Sequence, residues 1–402
     1  MSSSTYGTLL RTPGAAAFFF TATVGRVGIA MTGLGLVWLV HGRTGSYTAA
    51  GLVTGSFAVA EAVVGPQVAR LVDRLGQTRV LPPLLLAHAA AVAVLLALVN
   101  EGRPGWAMAA GGVLAGATIP QLGALSAARW STLLLHDHAT ALPTAFSLES
   151  LSNGFAFLLG PVLVSAVAAN GHPALGTVLA ATLIVVGGLT LAGQRRTTPP
   201  PASGRAHQDR PDRSLLRAAF VVVSAVSLGI GAYFGAMQVS VTAFAVNSGQ
   251  AGTAAPLYAV SSCTGLLAGW WYGRHQWRAS PDVQLAVATS GLATGCLLLL
   301  TADSPLTLGI ALAATGLAVP PILTLCSVLA ERAVHRTVIT QAFTWLNSAS
   351  AAGAAGAAAI SGRIVDTHGS HGGFAIAITA ATTMTVVAAG LVRTRRRVGV
   401  AP

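Results

Sequence analysis

"ARLVDRLGQTRVL", Ala69 to Leu81, places four formal charges (Arg70, Asp73, Arg74 and Arg79) within thirteen positions. The chain around it is 53% hydrophobic and only 8% charged, with a mean hydropathy of +0.69. A water-facing domain carries roughly 25% charged residues. This chain therefore cannot cover an ordinary aqueous surface and is expected to be an integral membrane protein. Charge gathered into one short stretch then marks a loop outside the hydrocarbon, between two crossing helices.

Working outward from that loop, apolar runs of roughly 20 residues, the length that crosses a bilayer core, predict twelve spans. The first six are expected at 16–40, 47–71, 80–99, 105–128, 141–168 and 173–192, and the second six at 217–246, 251–272, 282–302, 306–329, 338–361 and 372–392. The polar start "MSSSTYGTLLRTPG" runs into an apolar stretch without a small-residue cleavage site, which predicts a first span rather than a removable signal peptide. The only long hydrophilic interval, "QRRTTPPPASGRAHQDRPDRS" (Gln194 to Ser214), is too rich in Pro, Arg and Ser to bury a core. It predicts a flexible tether. The chain thus divides into a six-helix half at 1–193, a linker at 194–216, and a second six-helix half at 217–402 with a basic tail.

All 23 basic residues are Arg. With no Lys, a Walker A phosphate loop is excluded. With the N-terminus inside, 19 Arg fall on the inner side, Arg129 among them; Arg43, Arg103 and Arg363 fall outside and Arg26 within span 1. That asymmetry predicts both termini in the cytoplasm and the protein in the plasma membrane. The net charge of +12 belongs to this pattern and not to a basic face on a folded domain, so nucleic-acid binding is not expected. Cys263, Cys296 and Cys326 lie in apolar segments without metal-like spacing and read as small buried hydrophobes. His136 and His138 around Asp137 read as a solvated loop, His88 as a packed neutral histidine, and no metal or cofactor is expected.

The two halves echo each other. "GWWYGRHQWR" (Gly269 to Arg278) ends span 8 as the charged stretch ends span 2, and "NGFAFLLGP" (Asn153 to Pro161) in span 5 answers "NSASAAGAAG" (Asn347 to Gly356) in span 11. Duplicated helical halves with a site between them are a transporter architecture. Gly353 and Gly356 belong to a small-residue run that permits close helix contact and suits a rocking interface.

"ARLVDRLGQTRVL" resembles motif A of the major facilitator superfamily, GxLaDRxGrrxxl, found between helices 2 and 3. Leu71, Asp73, Arg74, Gly76, Arg79 and Leu81 fit; Ala69 replaces the first Gly, and Gln77 and Thr78 stand where basic residues are common. The resemblance implies a twelve-helix fold of two pseudo-symmetric bundles, and an acidic residue, here Asp73, that contacts the start of helix 11 and latches the halves together. An N-terminal helix end attracts such a charge. Gly76 permits the tight turn, while Arg74 and Arg79 are expected to pair with inner acids, Glu331 being a candidate partner, or with lipid phosphates. The proton-coupled exporters of this family also place an Arg in helix 4, and "AGATIPQLGAL" (Ala115 to Leu125) has only Gln121. Their helix 5 motif is matched in part, by Gly154, Gly160 and Pro161, with Val164 and Ser165 in place of the closing glycines.

An ionisable side chain inside a bilayer costs roughly 2.5 to 3.5 kcal/mol and calls for a partner or a task. Arg26, Glu61 and Glu149 fall in one layer of spans 1, 2 and 5, between the midplane and the inner interface. The expectation is a cluster in which Arg26 neutralises one carboxylate and leaves the other, desolvated, to exchange protons; a static ion pair that ties the helices together is the competing reading. Trp38, Gln121, Asn153, Tyr233, Gln238, Tyr258, Trp345 and Asn347 are the candidate cavity residues, each equally readable as helix packing or an interface anchor. The sequence thus predicts a monomeric, proton-coupled exporter of a small organic molecule that is apolar or weakly cationic. An uptake permease for a sugar, peptide or other metabolite is the alternative on the same fold. A lipid-modifying membrane enzyme is disfavoured because the acids are dispersed.

Overall fold

The computed structural model describes residues 6–134, 139–169, 172–201, 213–248, 253–275 and 277–397, and among these the secondary structure is helical with no strand. His136, Asp137 and His138 lie outside the described residues, as does most of the predicted tether. A short helix, α1 (Tyr6–Arg11), precedes α2 (Ala15–Thr44), α3 (Tyr47–Leu75), α4 (Gln77–Asn100), α5 (Gly105–Thr118), α6 (Leu122–Leu133), α7 (Leu142–Ala169) and α8 (Pro173–Gly193). The second half comprises α9 (Ala218–Asn247), α10 (Ala254–Arg274), α11 (Pro281–Leu297), α12 (Pro305–Ala333) and α13 (Ile339–Arg397).

Among the described residues, ten helical segments are long and apolar enough to cross a membrane, which makes this an integral membrane protein. Helix α10 and the first half of α13 are not among the ten. Large apolar side chains such as Val59, Leu86, Val287 and Val386 are more than 60% exposed. That is the pattern expected where lipid, not water, covers the outside.

The helix ends follow local rules. Ser46 accepts the N–H of Ala49 to cap α3, Ser304 and Thr307 form a reciprocal capping box on α12, and Pro opens α8, α11 and α12. Gly76, at φ 90°, closes α3 and starts α4 in one residue, a conformation that a side chain would strain.

Two expectations about helix limits are corrected. Span 4 is broken at Ile119–Gln121: Ile119 is extended (ψ 127°), as the residue before a proline prefers to be, and Pro120 cannot supply the missing N–H. Spans 11 and 12 run together as the 59-residue α13, interrupted at Gly369 (φ 70°, ψ −171°), so Arg363 is helical and not in a loop. The polar N-terminus contains α1, held by Leu9, which is 3% exposed.

The two halves pack alike. Helix α2 lies against α8 as α9 lies against α13, and α3 lies against α5 as α10 lies against α12. Between the halves α3 meets α13, and α7 meets α10. Glycines permit close backbone approaches: a Cβ on Gly231 or Gly235 would run into the carbonyls of Ser350 and Ala354, and one on Gly353 into Leu228. Gly353 therefore packs inside the second half, against α9, rather than at an interface between halves. Gly356 meets nothing within 4 Å, which corrects its reading as a close-contact glycine. Cys296 and Cys326 are buried as expected, whereas Cys263 is exposed.

Candidate functional site

The break in span 4 is the hub of the polar layer. Arg26, 6% exposed, forms an ion pair with Glu149 Oε2, and donates to the carbonyls of Glu149 and Gly123, each at 3.3 Å. Glu149 Oε1 accepts from Ser126 Oγ (2.6 Å) and from Trp130 Nε1 (2.7 Å). Gly123, Ser126 and Trp130 recur at the three- and four-residue spacing that gives α6 one face, and this face receives the pair. A Cβ at Gly123 would lie 3.4 Å from Arg26 Nε, so a small residue there admits the guanidinium. Thr23 and Ser152, one turn along α2 and α7, share a further 2.7 Å hydrogen bond.

Glu61 is placed differently. It is half-buried on α3, and its Oε1 accepts from Gln121 Nε2 at 3.1 Å. Among the described residues the ion pairs are Arg26–Glu149, Arg103–Glu101 and His371–Asp303, so Glu61 has no cation. The expected triad of Arg26, Glu61 and Glu149 is therefore a pair plus a separate carboxylate. The two are connected only through the span 4 break, because Gln121 and Gly123 are two residues apart. One turn from Glu61, Gly65 faces both Gln121 and Thr344, which places this carboxylate where α3 meets α13.

At the charged stretch, Asp73 Oδ2 accepts the backbone N–H of Gln341 at 2.9 Å, and Thr340 adds further hydrogen bonds. These N–H groups belong to the first turn of α13, where no intrahelical partner exists and the helix dipole favours a negative charge. Arg70, Arg74 and Arg79 are exposed and form no ion pair among the described residues. Glu331, read as their partner, instead faces Arg336 and Arg332 across a cavity of about 170 Å³ that Ser131 and Pro143 also line.

One residue of this region escaped sequence reading. Arg129 counted there among loop arginines, but it lies in α6 and is fully buried. It donates to Gln77 Oε1 (2.8 Å), to the carbonyls of Leu191 (2.9 Å) and Gln194 (3.0 Å), and to Thr197 Oγ1 (2.9 Å). This explains the departure at Gln77, which is 2% exposed: a basic residue there would face a buried guanidinium, whereas an amide oxygen accepts from it. The predicted tether is also docked at both ends, through Thr197 and through Ser214, both buried.

The candidate cavity residues divide. Trp38, Asn153, Gln238, Trp345 and Asn347 are exposed on their helices. Tyr233 is 2% exposed and belongs to the core, its hydroxyl bonded to Thr315, so it lines no open cavity. The Tyr258 hydroxyl donates to the carbonyls of Gln238 (2.8 Å) and Met237 (3.3 Å), which makes it a tie between α10 and α9. Gly160 lets α7 approach Ala30 and Met31 of α2, Pro161 follows within the same helix, and Gly154 faces Leu266 across the halves. His88 is buried, its Nδ1 3.2 Å from the Ala115 carbonyl.

A duplicated bundle of membrane helices, tied at one end by an aspartate in a charged loop and carrying a thin polar layer within its first half, is the architecture of a secondary transporter. Residues 18–301 match the family model of the Major Facilitator Superfamily, and the chain belongs to that family. Among solved structures it is similar to a bacterial homologue of the iron transporter ferroportin in its outward-facing state, with a TM-score of 0.75, 12% identity, and coverage of 94% of this chain and 98% of that one. It is also similar to the human organic anion transporter MFSD10 (TETRAN), with a TM-score of 0.70, 15% identity, and coverage of 93% and 98%. FucP in the outward conformation aligns with a TM-score of 0.66, 15% identity, and coverage of 92% and 97%. No curated protein sequence matches the chain.

Proposed function

We propose that the chain is a transporter, not an enzyme, and that it exports a small organic molecule by alternating access in exchange for protons. In this reading it crosses the plasma membrane twelve times as a monomer, with both termini and the Asp73 loop in the cytoplasm. The observation that carries the proposal is the unequal treatment of two membrane-embedded carboxylates. Glu149 is neutralised by Arg26 and held by Ser126 and Trp130, whereas Glu61 has one amide and no cation. A carboxylate so placed is the group that gains from taking up a proton, and Gly65, one turn away, faces Thr344, so that event lies beside the contact between halves.

The Asp73–Gln341 bond holds α3 against α13 at the end assigned to the cytoplasm, the contact of a state closed on that side. Two of the similar structures are themselves in outward states. The ferroportin homologue and the organic anion transporter are named for different cargoes, so the shared fold does not select the substrate. The sparse charge of the polar layer favours an apolar or weakly cationic molecule over a phosphate or dicarboxylate.

Purified protein in liposomes with an imposed pH gradient, screened for compound-induced proton flux, tests this. Coupled flux for at least one compound, lost in Glu61→Gln, is expected. No coupled flux for any compound, or unchanged flux in Glu61→Gln, overturns it.

A further inference from the structure

The two contacts between halves at the Asp73 end are related by pseudo-symmetry but closed by different chemistry. On one side the end of α3 meets the start of α13 through the Asp73 carboxylate. On the other the end of α10 meets the start of α7, and "GWWYGRHQWR" offers no acid at all. There Ser147 Oγ donates to the Gly269 carbonyl at 2.7 Å. The hydroxyl of Tyr6, from α1, lies 3.0 Å from Ser147 Oγ and 3.1 Å from the carbonyls of both Gly269 and Trp270. One phenol thus spans α7 of the first half and α10 of the second.

We propose that α1 is a second latch, in which Tyr6 replaces the carboxylate missing from the second copy of the motif and holds α7 to α10 in this state. The local sequence is built to receive it. A Cβ at Gly273 would collide with the Tyr6 hydroxyl and with Ser147, so Gly273 leaves a slot for the phenol, while one at Gly269 would press on Leu151 and Pro320 at 3.1 Å, so Gly269 lets α10 approach α7 and α12. Leu9, buried in the core, fixes α1 beside that slot, and the Thr12–Gly14 turn ties it to α2. An aspartate at 73 takes the bare N–H groups of a helix start, whereas here the partners are helix carbonyls, which need a donor. A neutral hydroxyl supplies that donor; a carboxylate could not. The latch is therefore an inversion of the Asp73 contact and not a copy of it.

Hydrogen–deuterium exchange on the full-length protein in detergent tests the proposal without a transported substrate, so its outcome is independent of the export reading. Tyr6→Phe keeps the ring and removes only the hydroxyl. Exchange at the start of α7 and the end of α10 should rise about fivefold, the effect of one net hydrogen bond, with the start of α13 unchanged. Gly273→Ala should raise the same segments by expelling the ring, whether or not Tyr6→Phe folds fully. Asp73→Asn should raise α13 instead. Exchange at α7 and α10 that is unchanged in both Tyr6→Phe and Gly273→Ala, or a rise spread evenly over the chain, overturns the latch.

Discussion

Glu149 and Glu61 occupy one layer of the same half, yet their surroundings could hardly differ more. Glu149 is buried at 8% exposure with a guanidinium and two neutral donors on its oxygens, while Glu61 is half-buried with a single amide. The contrast shows how a membrane protein separates structure from coupling. A buried ion pair resists change, because removing one partner strands the other in low dielectric. A carboxylate with one neutral partner can change its protonation without stranding anything. Helix α6 makes the difference, since its one polar face meets Glu149 and only the residue before it, Gln121, reaches Glu61.

The largest effect should come from breaking the pair. Glu149→Gln leaves Arg26 buried without a counter-charge and is expected to lower stability by about 3–5 kcal/mol, read as a drop in denaturant midpoint in detergent. A double replacement, Arg26→Met with Glu149→Leu, should recover most of that loss. If it does not, Glu149 matters for more than neutralising Arg26.

Removing a donor instead of a charge is milder. Trp130→Phe leaves Glu149 Oε1 with Ser126 alone and should cost about 1–3 kcal/mol, measured in the same unfolding series. Gln121→Leu takes the single donor from Glu61 and should cost about 1 kcal/mol; a loss as large as that of Trp130→Phe would erase the contrast between the sites.

The smallest stability change belongs to Glu61→Gln, within about 0.5 kcal/mol, although this variant should lose coupled proton flux. A large destabilisation there would show that Glu61 is a structural group like Glu149. At the same small scale, Gly356→Ala should be nearly neutral, while Gly353→Ala must push α13 off the α9 backbone and should cost about 1–3 kcal/mol.

Much of this was legible along the chain. The Asp73 contact was readable through the resemblance to motif A, which implies an acid at the start of helix 11, and the bare N–H groups of a helix start explain why an acid suits that place. The Arg26–Glu149 pair was half readable: burial demanded a partner for each charge, but the choice between two carboxylates depends on helix rotation, which apolar all-round helices do not display. Arg129 was missed because an arginine near a span end looks like a loop residue until neighbouring carbonyls surround it. The signals that could have found it were Gln77, a neutral residue at a basic position, and Trp130, a large aromatic beside it. Tyr6 left no signal at all, because a six-residue helix outside the spans has no periodicity to read.

The sequence by itself determined that the chain lives in a membrane, that its helices form two related sets, and that charge concentrates at one end, since hydropathy, charge asymmetry and a motif are properties of order along the chain. The tertiary structure alone decided which carboxylate is neutralised, that the residues around the span 4 break serve both, and that a tyrosine far upstream closes the second seam. Those outcomes depend on which faces of α2, α3, α6 and α7 meet. In a bilayer the lipid-facing and protein-facing sides of a helix are both apolar, so the pattern along the chain leaves that rotation open until the helices pack.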